Sequence, residues 1–165
     1  MMRGLRMKTP NSERGSALVE FALVMPLLFL LCMGATDFGR LFFHAVTVYN
    51  AASTGAFYGA RTPLLSGQYA VMEQKAKEDA GDIEDISTGV GATAERTCEC
   101  PGAAEGDPGT PIDCREAANP NACAGYGSPV AYVKVRAQNT FETLGLYPGI
   151  PGSTAVAREV WMRVQ

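Results

Sequence analysis

Gly15-Ser16-Ala17-Leu18-Val19-Glu20-Phe21 opens an apolar run that continues to Ala35, and between Ala17 and Ala35 only Glu20 is charged. At about 1.5 Å per helical residue this run nearly matches the roughly 30 Å hydrocarbon core of a bilayer, which predicts a transmembrane helix over residues 16–36. Ahead of it stand Arg3, Arg6, Lys8 and Arg14 against a single acid, Glu13. Such an excess of bases marks the cytoplasmic flank of a span, so the N-terminus is expected inside and everything beyond the span outside.

Three membrane readings compete for this segment. A secretory signal has a shorter apolar region and small residues at its cleavage site, whereas Met33-Gly34-Ala35 puts a large residue where a small one is needed. A lipoprotein signal would use Cys32, but Phe29-Leu30-Leu31 lacks the small residue expected just before a lipidated cysteine. A retained anchor whose basic leader, residues 1–15, is clipped after Gly15 accounts for Gly15 and Glu20 together. Glu20 also has a plainer reading. An acid in the first helical turn interacts well with the macrodipole, and near the interface it costs less than the roughly 2.5 to 3.5 kcal/mol of a mid-membrane charge.

The order of features resembles the type IV prepilin processing pattern: a short basic leader, Gly15, then Ser16, with Glu20 the fifth residue after the glycine, Phe21 and a hydrophobic helix. The continuation is similar to TadE-like pseudopilins of the tight adherence (Flp pilus) machinery. It runs Ser16-Ala17-Leu18-Val19-Glu20-Phe21-Ala22-Leu23-Val24-Met25-Pro26-Leu27, then Gly34-Ala35-Thr36-Asp37-Phe38-Gly39-Arg40, then Asn50-Ala51-Ala52-Ser53-Thr54-Gly55-Ala56-Phe57-Tyr58-Gly59-Ala60-Arg61. The resemblance covers roughly residues 14–61. It implies a pilin-like protein cut between Gly15 and Ser16 by a prepilin peptidase, with Glu20 pairing the free amine of its own or a neighbouring mature N-terminus. It also implies inner-membrane lipid, other pilins and the pilus assembly machinery as partners.

The chain has 165 residues, and leader and anchor leave about 125, enough for one small extracytoplasmic domain. The net charge of -3 hides an asymmetry: beyond residue 15 there are ten bases against sixteen acids, a net charge of -6. So acidic a surface argues against a nucleic-acid partner.

Taken in order, Met1 to Asn11 has no apolar period and is expected to be a disordered cytoplasmic leader. Pro26 within the span predicts a bend, and Cys32 is read as a small apolar filler. Asp37 and Arg40, three residues apart, mark the outer interface and can pair. Over 37–61 the helix should extend beyond the membrane, because Leu41, Ala45, Val48, Ala52, Ala56 and Ala60 fall on one face. Ala52, Gly55, Ala56 and Gly59 make that face small, suited to close packing either on the protein's own sheet or on helices of other pilins. His44, the only histidine, lacks a ligand partner at helical spacing and is read as a polar surface residue.

Residues 62–165 are expected to form the extracytoplasmic domain. Thr62-Pro63 ends the long helix, and Ser66 to Ala80 reads as a second helix capped by Ser66, with Tyr69, Met72 and Ala76 inward and Gly81 as terminator. The acids Glu78, Asp79, Asp82, Glu84 and Asp85 do not match an EF-hand loop and read as a wet face. Ile86 to Cys100 can be a strand. Ala131, Val133, Val135 and Ala137 alternate with Tyr132, Lys134, Arg136 and Gln138, the clearest strand pattern in the chain. After turn chemistry at 147–152, Ser153 to Val164 returns with Val156, Val160, Met162 and Val164 on one face. These predict an antiparallel pair lying on the long helix, its last strand an open edge.

Between them lies a loop too long to stand unsupported, the Cys-rich stretch 98–129. If exported, Cys98, Cys100, Cys114 and Cys123 face an oxidising compartment. Cys98 and Cys100 would lie about 6.6 Å apart in a strand, near the upper limit for bridging each other. Each is therefore expected to reach Cys114 or Cys123, with the choice left open. A zinc site would favour two CxxC-type pairs, and a thiol-disulfide enzyme a CxxC at a helix start; neither spacing is present. With no GxSxG, P-loop or HExxH, no catalytic residue, metal or cofactor is expected.

These readings converge on an α+β fold: a long N-terminal transmembrane helix continuing into a small extracytoplasmic domain with an antiparallel sheet and a disulfide-stapled loop. By resemblance the role is a minor pilin or pseudopilin acting structurally in pilus initiation, assembly and adhesion. The alternative is a membrane-anchored envelope binding protein that uses its disulfide loop and never enters a fibre.

Overall fold

The apolar run lies within one helix, α1, spanning Glu13–Ala60 and containing Pro26. In this computed structural model the described residues are 13–81, 90–102, 109–119, 121–123, 127–145 and 150–165. The expected disorder of Met1 to Asn11 lies outside them, as do the start of the strand expected from Ile86 and the first half of the turn at 147–152. Two compact units divide between Gly39 and Arg40.

In the first unit the helix is bare. Leu18, Leu23 and Phe29 are 70%, 75% and 62% exposed, and the most apolar window of the long helix buries none of itself against protein. A surface this apolar has no reason to face water, and its length suits a single-pass membrane anchor.

In the second unit the order is the remainder of α1, a 3-10 turn at Leu65–Gly67, α2 (Tyr69–Ala80), β1 (Gly91–Cys100), β2 (Thr110–Ile112), a 3-10 turn at Glu116–Ala118, β3 (Val130–Glu142) and β4 (Ser153–Arg163). The strands form one antiparallel sheet in the order β2-β1-β3-β4. The alternation in β3 sets the register: Val133, Val135, Ala137 and Phe141 are buried while Arg136, Gln138 and Thr140 face solvent. Val156 and Val160 of β4 extend the same apolar face, and Val48, Ala52 and Ala56 of α1 join it in one core with Met72 and Ala76 of α2. This is the α+β arrangement expected: β1 falls within the strand expected over Ile86 to Cys100, and β2 is added to the expected strands.

Three local expectations are corrected. Ser66 does not cap α2: it is buried in the preceding 3-10 turn, where its hydroxyl donates to the Pro63 carbonyl at 2.7 Å, and Gln68 stands at the cap without a side-chain bond. Tyr69 is half-exposed because the buried face of α2 begins one turn later, at Met72. His44 is buried and meets the Phe141 ring edge-on, 5.2 Å between centroids, with the Arg40 guanidinium 5.5 Å from the centre of the same ring. Its place between Leu41 and Val48 puts it on the core face of α1, and that periodicity outweighs its polarity.

Candidate functional site

Three groups of sequence-predicted residues are described, and they do not form one site. The first is the start of the anchor. Gly15, Ser16, Glu20 and Phe21 all lie exposed on α1, which begins at Glu13. The Ser16 hydroxyl donates to the Glu20 carboxylate at 3.2 Å, one helical turn away. The peptide bond between Gly15 and Ser16 therefore sits in the first turn of the helix, where main-chain N–H groups lack intrahelical acceptors and the turn opens most easily. An amine created at Ser16 would stand one turn from Glu20.

The second group is the small-residue face. A Cβ added at Gly55 would lie 2.8 Å from the Met72 carbonyl oxygen and 3.2 Å from Val135 Cγ1, and one at Gly59 would collide with the Met72 sulfur. Ala52 and Ala56 are fully buried. Among the described residues, α2 and β3 of the same chain occupy this face.

The third group is the pair of staples. Cys98 bonds Cys114 and Cys100 bonds Cys123, with Cα separations of 5.1 and 5.3 Å. Both β1 cysteines project from the face that also carries the buried Ala92, as the two-residue strand period requires. β2, which lies between Cys100 and Cys114 in sequence, pairs with the end of β1, Cys98 opposite Ile112 and Cys100 opposite Thr110. The long loop is thus held twice by covalent bonds and once by a short ladder. Cys32 is free and exposed on the anchor.

Sequence reasoning missed the organisation of the sheet's outer face. Lys134 lies opposite Glu95 on one side and Trp161 on the other. Its ammonium is 2.5 Å from the Glu95 carboxylate, 3.8 Å from Glu159 and 5.0 Å from the Trp161 ring centre. The hydrogen bond it donates to Glu95 and the charge of Glu159 push its pKa up. Trp161 Nε1 donates to Glu159 at 2.7 Å. Alternation marks Lys134 as outward, but its partners depend on strand order. Among the described residues, no group of three or more His, Cys, Asp or Glu is placed to hold a metal ion.

Among known proteins, the family model described as TadE-like protein matches residues 15–56. No curated protein and no solved structure matches the chain. The matched segment begins at the glycine ahead of the apolar run and ends within the small-residue face. Residues 15–56 are therefore similar to TadE-like proteins, a likeness that supports a role related to the tight adherence pilus.

Proposed function

We propose that the protein is a minor pilin or pseudopilin of a tight adherence pilus, a structural subunit in fibre initiation or assembly and adhesion, and not an enzyme. The observation that carries this reading is the coincidence of the TadE-like match at 15–56 with a helix whose most apolar window is unburied among the described residues. A prepilin peptidase removes residues 1–15 between Gly15 and Ser16. The chain stays in the inner membrane through residues 16–36, with its N-terminus cytoplasmic and its domain outside.

Glu20 has a role in this scheme that its position supports. The new Ser16 amine, one turn before Glu20, neutralises that carboxylate within one chain, or a neighbour's amine does so when subunits pack; either pairing lowers the cost of a charge in the apolar layer. Intact-mass and N-terminal peptide analysis of membrane-extracted protein should show a chain beginning at Ser16. Glu20→Ala should leave cleavage intact but deplete the protein from sheared fibres. Recovery of the uncut leader from cells with an active peptidase would overturn the processing step.

A further inference from the structure

The C-terminal ends of α1 and β4 are tied together by the Gln165 main-chain N–H, which donates to the Ala60 carbonyl at 3.0 Å. Beside this tie runs a groove of about 460 Å³, lined by Phe57, Ala60 and Arg61 on the helix side and Met162, Arg163 and Gln165 on the strand side. Its volume is within the range of ligand-binding clefts. Phe57 is 63% exposed, so the groove offers apolar surface.

Two further properties define what would fit. Arg61 and Arg163 are exposed, and neither forms an ion pair among the described residues. Arg61, just past the end of α1, is explained in part by the helix dipole. Arg163 on a strand has no such reason, and both stand on a chain that is otherwise acidic beyond its leader. The groove also adjoins an open sheet edge. Among the described residues β4 is the last strand of the sheet and pairs only with β3. Val164 donates its N–H to Ala131, so by alternation Glu159, Trp161 and Arg163 turn their main-chain groups the other way. The edge is closed further back, where Arg158 Nη1 donates to the Ala157 carbonyl at 3.0 Å.

We propose that this groove and the β4 edge from Glu159 to Arg163 bind an extended segment of a partner protein carrying acidic residues beside apolar ones. The edge supplies main-chain hydrogen bonds, Phe57 and Met162 receive an apolar side chain, and Arg61 and Arg163 take the carboxylates. A lipid headgroup satisfies the arginines but leaves the edge unpaired, which favours a peptide. The binding mode is independent of leader cleavage, so it can fail without touching the pilin reading, and the reverse.

The test uses the full chain in phosphatidylcholine nanodiscs and fluorescence anisotropy. The probe is a labelled, end-blocked hexapeptide alternating aspartate and leucine. It should bind at least tenfold more tightly than its lysine-leucine counterpart. The paired change Arg61→Glu and Arg163→Glu should weaken it at least tenfold, and N-methylation of alternate peptide nitrogens in the probe should do the same. Circular dichroism melts check that the variant is folded; should it not be, Arg61→Gln with Arg163→Gln replaces it, with a smaller loss in the same direction. Equal binding of the two probes, or indifference to the arginine changes, would overturn the proposal. So would displacement by phosphatidylglycerol vesicles with an unmethylated and a methylated probe behaving alike, which assigns the arginines to lipid. Arginine-dependent self-association in sedimentation with no peptide binding would assign the groove to a second copy and likewise overturn it.

Discussion

The two halves of α1 answer to different surroundings. Before Gly39 the side chains are large and exposed, as Leu18, Leu23 and Phe29 show; after Arg40 the inward positions are small and sealed, with Val48, Ala52 and Ala56 fully buried. The same glycine serves opposite purposes in the two. A Cβ at Gly34 or Gly39 would meet nothing within 4 Å, whereas at Gly55 it would press on the Met72 carbonyl and Val135. A long helix can thus be written in two vocabularies, bulky where lipid is the solvent and small where another backbone must come close.

The comparison breaks most visibly at the staples. Replacing both Cys98 and Cys100 by serine removes two cross-links spanning 16 and 23 residues. Each is worth about 3 kcal/mol by loop-closure entropy, so together they rival the whole stability of a small domain. Near-ultraviolet circular dichroism of the detergent-solubilised variant should show loss of domain tertiary signal while far-ultraviolet helix signal from the anchor persists. Loss of both together would mean that the halves of α1 are not independent.

Next in size is Met72→Ala. Met72 is fully buried against the glycine face, and its truncation should cost about 2 to 5 kcal/mol in chemical denaturation. Gly55→Ala tests the contrast directly. The added methyl meets backbone oxygen and should destabilise by about 1 to 3 kcal/mol despite the helix propensity it gains. Gly34→Ala, with open space around it, should be neutral or stabilising by up to about 1 kcal/mol. If the two substitutions moved stability alike, the difference between the halves would be illusory.

The smallest expected effect belongs to the solvated side of α2. Lys75 is 2.7 Å from Glu78, and the hydrogen bonds from Lys75 and Gln74 hold the Glu78 carboxyl below its ordinary pKa. A depressed carboxyl contributes stability above its unfolded pKa and loses it as pH falls through the folded value. The pair is exposed, so the contribution is slight. Lys75→Gln should flatten the acid side of the stability-against-pH curve marginally and leave the neutral plateau in place.

Much of this was legible in the residues themselves, and the reasons are local. The anchor follows from an unbroken apolar run, and β3 follows from an alternation in which Val133 and Val135 can only face one way. Even the small face of α1 shows as a three- and four-residue period, and that period alone would have placed His44 inside. The TadE-like character of residues 15–56 also rests on contiguous sequence.

What tertiary structure alone decided were matters between distant residues. Cys98 and Cys100 each had two possible mates, and the choice of Cys114 and Cys123 was made by how the loop returns through β2, a strand of three residues too short to carry a pattern. That Met72 fills the space over Gly55 and Gly59, and that Lys134 sits between Glu95 and Trp161, follows from the strand and helix order in space. A short-range period records which side of an element is buried; it contains nothing about what will be laid against that side.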